Sequence, residues 1–295
     1  LYKSHIKIMK NSFIITGVMG WPVAHSRSPL IHNHWIREHG LNGAYGLFPV
    51  NPNDLEAAIR GIKALGIAGC NITIPHKVNA MTFVDWVHPL AQRMGAINTI
   101  VVQPDGALHG FNNDGFGFIQ SLLQSHPTWR ADTGPIVVIG AGGAARGIVV
   151  SLLDAGATNI RLVNRTHSKA EELAQAFGPA VTAVKWQERK DALSKAALLI
   201  NTTNQGMHGE PALDLALDNL PTSALVFDAV YIPIETPLLK AARLRSNPTL
   251  NGLGMLLHQA RPAFQAWFGV MPEVTQALCN EVCPLTCSTV GPRSK

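Results

Sequence analysis

No stretch of this 295-residue sequence stays apolar for the ~20 residues that a membrane span needs. The N-terminus lacks a basic region followed by an apolar stretch and a small-residue cleavage site, so secretion is not expected. Leu1 to Lys10 reads as leader sequence, with Met9 as the native start. Charge is sparse, at 15% of residues against 46% apolar, a balance that excludes a disordered chain. The net charge of +5 comes from scattered basic residues. No Lys/Arg stripe interleaves with aromatics, which excludes a nucleic-acid groove but suits small anionic ligands. Only four cysteines occur: Cys70, Cys279, Cys283 and Cys287. The last three recur every fourth residue, yet Pro284 interrupts any helix that would align them. No histidine or further cysteine stands close enough to complete a zinc site, so no metal is expected. They read as reduced thiols in a loose C-terminal tail of a cytoplasmic protein. There is no internal repeat or low-complexity tract, and a homodimer is compatible with everything above.

What is present is alternation. Ile14 to Val18, Tyr45 to Val50 and Ile67 to Ile74 read as strands. Between them, Ser28-Pro29 starts a helix with serine as N-cap and proline at its first position, and Gly40 closes it. Asn53-Asp54 opens an amphipathic helix running to about Leu65. Ile97 to Val102, the turn Pro104-Asp105-Gly106, and Ala107 to Phe111 form an expected hairpin. Asp114 to Leu123 is a helix leading into a linker from Ser125 to Gly134. Beyond Pro135, short β-branched runs follow at Ile136 to Ile139, Ile160 to Val163, Val181 to Val184, Leu198 to Ile200 and Leu225 to Phe227. Helical stretches between the earlier runs predict a parallel sheet with helices on both faces. Met255 to Phe268 is a long apolar helix.

The run Ile136 to Ile139 leads into Gly140-Ala141-Gly142-Gly143-Ala144-Ala145 and then a helix from Arg146. This is the G-x-G-x-x-A turn in its required strand-to-helix setting. Gly140 permits the tight turn, Gly142 lets backbone approach a pyrophosphate, and Ala145 keeps the helix near the sheet. The pyrophosphate would rest on the helix N-terminus, where unpaired N–H groups and the dipole favour anions. About twenty positions on, where NAD enzymes place an acid for the ribose 2′-hydroxyl, the sequence has Asn164-Arg165-Thr166, with Lys169 following. Arg165 can hold a 2′-phosphate through two hydrogen bonds, so the expected cofactor is NADP.

Several polar clusters in the first half sit at the ends of extended runs, where α/β folds collect ligands. They are 20–29 (GWPVAHSRSP), 69–77 (GCNITIPHK), 95–99 (GAINT) and 110–115 (GFNNDG). Further blocks follow at 200–207 (INTTNQGM), 228–233 (DAVYIP) with 236–239 (TPLL), and 252–256 (GLGML) with Gln259. In this order, from about Phe13 to Phe268, the blocks strongly resemble the shikimate dehydrogenase family. The resemblance implies two α/β domains with a cleft between them. A substrate domain would span 1–114, completed by 251–295, and a Rossmann-type NADP-binding domain would span 115–250. It implies reversible reduction of 3-dehydroshikimate to shikimate by NADPH. Ser26 and Ser28 would hold the substrate carboxylate. Asn71, Asn98, Asp114 and Gln259 would bond the ring oxygens, with Thr73 and Tyr231 beside the substrate. Lys77 and Asp114 would be the catalytic pair. Gly140, Ala141, Gly142, Gly143, Ala144, Asn164, Arg165, Thr166, Lys169, Thr203, Gly254 and Met255 would line the cofactor.

The chemistry is sensible without the family. Hydride transfer to a ketone creates an alkoxide, which needs a proton donor and a charge stabiliser. Burial lowers a lysine's pKa while a neighbouring carboxylate raises it, so the residue types alone do not fix the net shift or which group moves the proton. Taken singly, the residues have plainer explanations. Lys77 reads as a surface lysine, Asp114 as a helix N-cap, and Ser28 as a cap, an explanation Ser26 lacks. Only the ensemble overturns them. Three positions depart from the family pattern: Asn113 for a threonine, Asn204 for a serine, and Asn251 for an aspartate, the last altering charge at the expected cleft rim. A quinate-oxidising relative using NAD, and a catalytically silent dinucleotide sensor, are the competing readings. Arg165, Ser28 and the intact Lys77 and Asp114 argue against them.

Overall fold

A computed structural model describes residues 13–283 of the chain. The expected leader at 1–10 and Cys287 lie outside the described residues. The chain forms two compact units, one from Leu1–Asp114 with Leu257–Lys295 and one from Gly115–Leu256.

The first unit is built on a six-stranded sheet. Its strands are β1 (Ile14–Gly20), β2 (Gly43–Pro49), β3 (Ile67–Ile72), β4 (Trp86–Val87), β5 (Thr99–Val102) and β6 (Leu108–Phe111), in the order β2-β1-β3-β5-β6-β4. β1 pairs in parallel with β2 and β3, whereas β5 runs antiparallel to β3 and to β6. The expected hairpin is β5–β6. β3 stops two residues short of the expected Ile74, because Thr73 turns the chain: the N–H of His76 donates to the Thr73 carbonyl (2.9 Å). Helices α1 (Ser28–Glu38), α2 (Leu55–Ala64) and α3 (Pro89–Met94) complete this unit together with the returning chain. One core joins Leu55, Ile59 and Ile62 of α2 to Ile72, Ile97 and Ile100.

The start of α1 differs from expectation. The N-cap is Arg27, with no side-chain cap bond, and Ser28 is the first helical residue. It is Ser26 whose Oγ accepts from the Ser28 N–H (3.3 Å). Ser26 therefore has the backbone role that the sequence assigned to Ser28, and Ser28 keeps its hydroxyl for other partners.

The second unit holds β7 (Ile136–Ile139), β8 (Ile160–Val163), β9 (Val181–Val184), β10 (Leu198–Asn201), β11 (Leu225–Asp228) and β12 (Thr249–Leu250). The order is β12-β11-β10-β7-β8-β9, and every pairing is parallel. This is the doubly wound order, with its switch point where β7 and β10 lie side by side. Its helices are α4 (Asp114–Ser125, whose first residue belongs to the other unit), α5 (Gly143–Asp154), α6 (His167–Phe177) and α7 (Pro237–Leu244). Strands β7, β10 and β11 are buried along their whole length, so Ile136–Ile139, Leu198–Ile200 and Leu225–Phe227 read as unbroken apolar runs.

Three expectations about connections need correction. The linker expected at 125–134 is packed into the second unit: Ala131 is buried in its core, with Trp129 packed against it. The return to the first unit falls after Leu256, six residues beyond the expected 250. Packing explains this. Helix α8 (Leu253–Phe268) puts Met255 into the second unit's core, and Gly254 lies so close to Ser121 that a Cβ would meet its Oγ at 2.3 Å. Finally, Cys279 is no part of a loose tail. It is buried in α9 (Gln276–Val282), which is tied to α1 by His34 Nδ1 and Glu281 Oε2 (2.6 Å) and by Arg37 to Glu281 (2.6 Å).

Candidate active site

In the first unit, β3, β5 and α4 deliver their polar residues to one buried network. Lys77, just past the turn that ends β3, donates to Asp114 Oδ2 (2.6 Å). The lysine is 17% exposed at its side chain and the aspartate 5%, so neither is a surface charge. Asp114 begins α4, yet its carboxylate does not cap that helix. Asn112 Oδ1 accepts the Asp114 N–H (2.9 Å) instead, which leaves the carboxylate for Lys77 and for Asn98 Nδ2 (2.9 Å). Both single-residue explanations therefore fail here.

Asn98 also donates to Gln259 Oε1 (3.1 Å), while its Oδ1 accepts from the Thr99 hydroxyl (2.8 Å) and the Asn113 N–H (3.0 Å). Every polar valence of Asn98 is thus committed, which makes it the organiser of the cluster. Asn71 donates to the Asn98 carbonyl (3.0 Å) and to Thr99 Oγ1 (3.1 Å). Asn113, one of the departures from the family pattern, is buried and donates its own amide to Thr99 Oγ1 (3.0 Å). Thr73 is half-buried, its methyl against Gly20, where a Cβ would stand 2.5 Å away.

Sequence reasoning assigned no role to two members: Thr99, which lies in the 95–99 block, and Tyr45. The Tyr45 hydroxyl donates to Asn71 Oδ1 (2.7 Å). Thr99 receives two amides and donates to a third group, so it is the hub that sets three asparagines. A buried threonine inside a strand carries no signal of this in sequence; the tyrosine is hidden the same way, because aromatics are ordinary strand residues.

In the second unit the glycine turn has the geometry an anion needs. Gly140 has φ +110°, and a side chain there would meet Thr202 Oγ1 at 2.4 Å and Thr203 Cγ2 at 3.1 Å. Gly142 caps α5 in extended conformation with no side-chain cap bond, and a Cβ built on it meets nothing within 4 Å. Uncapped N–H groups facing open space are a ready cradle for a pyrophosphate. Ala145 is fully buried, as close helix–sheet packing requires. The N-terminus of α6 at Thr166 also lacks a side-chain cap bond, and Arg165, Thr166 and Lys169 are exposed around it. Asn164 spends its amide on the Thr166 carbonyl (2.8 Å) and so shapes the loop. These residues fit a dinucleotide bearing a 2′-phosphate.

The remaining expected cofactor residues are less free. Thr203 gives its N–H (3.0 Å) and its hydroxyl (2.7 Å) to Asn201 Oδ1. Asn201 in turn donates to Asp228 (3.0 Å), which accepts from Thr236 (2.6 Å) and the Val230 N–H (3.0 Å) as well. This second buried network fixes the ends of β10 and β11 beside Gly140. Burial pushes the Asp228 carboxyl up to about 6, opposed by those three donors. Met255 belongs to the apolar core and Gly254 is explained by its contact with Ser121, so packing accounts for both without a cofactor. Asn251 accepts the Leu253 N–H (3.1 Å), a capping role for α8 that aspartate would fill equally. Tyr231, half-buried, follows β11 in this unit, whereas Ser26, Ser28, Asn71, Asn98, Lys77, Asp114 and Gln259 all belong to the first.

Among the described residues, no helix is long and apolar enough to cross a membrane. Three family descriptions match the chain: the shikimate dehydrogenase substrate binding domain over residues 18–100, shikimate / quinate 5-dehydrogenase over 123–208, and the shikimate 5′-dehydrogenase C-terminal domain over 252–277. The chain is 53% identical over 268 residues to the shikimate dehydrogenase (NADP(+)) of Rhodospirillum rubrum, covering 90% of this chain and 95% of that one. A crystal structure of a shikimate dehydrogenase in complex with NADP+ superposes with a TM-score of 0.83 at 37% identity, covering 92% of this chain and 95% of its own. The Thermus thermophilus shikimate 5-dehydrogenase, solved with NADP(H) and shikimate, gives 0.79 at 33% identity, covering 91% and 97%. On the strength of these matches and the two networks above, the chain belongs to the shikimate dehydrogenase family.

Proposed function

We propose that this chain reversibly reduces 3-dehydroshikimate to shikimate with NADPH, as a cytoplasmic step of aromatic amino-acid biosynthesis. The observation that carries the reading is the buried Lys77–Asp114 pair (2.6 Å), set by Asn98 and joined through it to Gln259. NADPH, when bound, supplies the hydride. Lys77 has three N–H donors, of which Asp114 takes one; the others are available to the oxygen on which negative charge grows. Asp114 aims the ammonium and balances its charge. Ser26 and Ser28 take the substrate carboxylate, Asn71 and Gln259 its hydroxyls, and Tyr231 borders it. Gly142 and the α5 N-terminus hold the pyrophosphate, and Arg165 with Lys169 holds the 2′-phosphate.

Steady-state oxidation of shikimate and of quinate, each with NADP+ and NAD+, tests the whole assignment. Shikimate with NADP+ should be the best pair; quinate with NAD+ surpassing it would overturn both substrate and cofactor. Lys77→Ala should lower kcat by about 10²- to 10⁴-fold. It should also cost stability, since it leaves the Asp114 carboxylate buried with one donor fewer. A near-normal kcat would remove Lys77 from the mechanism. Arg165→Ala should raise KM for NADP+ much more than for NAD+, and equal rises would show that Arg165 does not read the 2′-phosphate.

A further inference from the structure

Asn201, the last residue of β10, has every polar valence of its side chain committed, and in one orientation only. Its Nδ2 donates to the Gln205 carbonyl (3.2 Å), an atom that can only accept, and to Asp228 Oδ1 (3.0 Å). Its Oδ1 accepts the Thr203 N–H (3.0 Å), a group that can only donate, and the Thr203 hydroxyl (2.7 Å). Thr203 Oγ1 in turn accepts the Gln205 N–H (3.2 Å). One side chain therefore pins both ends of the turn 203–205. The anchor is firm, because Asn201 and Asp228 are both fully buried. Asp228 is held from the far side by the Val230 N–H (3.0 Å) and the Thr236 hydroxyl (2.6 Å). The sequence blocks 200–207, 228–233 and 236–239 thus meet at a single carboxylate.

The pinned turn stands against the glycine turn. Thr202 gives its N–H (2.9 Å) and its hydroxyl (2.8 Å) to the carbonyl of Ile139, the last residue of β7. A Cβ on Gly140 would meet Thr202 Oγ1 at 2.4 Å and Thr203 Cγ2 at 3.1 Å. β10 and β8 flank β7 on opposite sides. The turn 203–205 therefore lies on one side of Gly140, and Asn164, Arg165 and Thr166 lie on the other. Beyond the strand ends at such a switch point is where a doubly wound sheet takes its ligand.

We propose that Asn201 is a positioning residue for the dinucleotide. With its own valences spent inside the fold, it acts through the turn 203–205, which it holds as a wall beside the glycine turn. That wall stands on the side away from Arg165, so loosening it weakens NADPH and NADH alike. This inference rests on the proposed seat of the pyrophosphate at Gly142 and the α5 N-terminus.

The test is equilibrium binding of NADPH and of NADH to the free protein, read from the fluorescence of the reduced nicotinamide. Asn201→Asp keeps the acceptors for Thr203, loses both donors and sets a second carboxylate against Asp228. It should weaken both cofactors equally, by about tenfold. Adding Asp228→Asn removes the like charge and returns a donor to the pair, so it should recover most of that loss. Damage of a merely structural kind would deepen with the second substitution. If Asn201→Asp does not fold, Asn201→Ala carries the comparison, with the same equal losses expected. Unaltered affinities in the Asn201 variants, beside a Gly142→Ala variant that binds more weakly, would overturn the positioning role alone. A loss confined to NADPH would overturn it too. A Gly142→Ala variant with unaltered affinity would overturn the seat of the pyrophosphate, and the inference with it.

Discussion

His32 is fully buried with neither ring nitrogen hydrogen-bonded, and burial lowers its pKa to about 3. Unfolded, it would titrate near 6.5. The unfolded state therefore takes up a proton that the folded state refuses, and stability falls as pH drops below about 6.5. His258, lowered to about 4 by burial with Arg261 adding, acts in the same direction. Asp228 acts in the opposite one: its carboxyl is raised to about 6, so its contribution is lost as pH rises from about 4 to 6. His32→Phe preserves the stack on Tyr45 and removes one proton sink. Relative to the unaltered protein it should gain about 2 kcal/mol between pH 7 and 5, read from thermal unfolding at each pH; a constant offset would show that His32 is not depressed. None of this was legible from residue types. A histidine near a polar block reads as scaffold in any sequence, and only the aromatic surroundings of His32 reveal a neutral ring used as a flat surface. Ser26 and Ser28 show the same limit, since which serine accepts a backbone N–H depends on where α1 begins to wind, a matter of one residue.

The strand–glycine–helix element was the most legible part, because its requirements are local. A run of four β-branched residues, two glycines two apart and an alanine three further on demand one geometry. The glycines should nonetheless answer differently to substitution. Gly140→Ala forces a positive φ on a residue with a side chain and drives that side chain into Thr202, so it should cost about 1–3 kcal/mol of stability. Gly142→Ala meets nothing in the fold. Its melting temperature should stay within a degree or two of the unaltered protein, while KM for NADP+ rises severalfold. Equal loss of stability in both would show that the open space at Gly142 is not real. The two-residue strands β4 and β12 escaped notice because pairs such as Trp86–Val87 and Thr249–Leu250 have no period to detect; a neighbouring strand defines them.

At the scale of the molecule, the second unit is one continuous stretch of chain and the first is not. No turn, proline or glycine marks a change at Leu256, since α8 runs unbroken from Leu253 to Phe268 across it, and the crossing therefore lies six residues beyond the expected 250. The returning chain matters to the first unit. Trp267 donates to the Ile100 carbonyl (3.1 Å) and lies where a Cβ on Gly69 would stand 2.2 Å from its Nε1. Phe264 packs edge-on to Trp35 (5.4 Å), and Gln259 reaches Asn98. Deleting everything after Leu256 should therefore unfold the first unit and spare the second, whose core residues all precede that point. Limited proteolysis with mass spectrometry should find a resistant fragment of about 115–256; an N-terminal unit as resistant as in the full chain would show the return to be dispensable.

The same discontinuity sets an order of events during synthesis. The N-terminal strands leave the ribosome first, yet the surfaces that Phe264 and Trp267 cover stay bare until nearly the whole chain has emerged. The nucleotide-binding unit, begun later, has all its pieces sooner. For the time it takes to translate the middle of the message, His32, Trp35 and Tyr45 lack the aromatic cover of Phe264 and Trp267. The nascent chain is therefore most exposed to chaperones and to aggregation at its oldest segment, and a pause in translation before α8 would prolong that exposure.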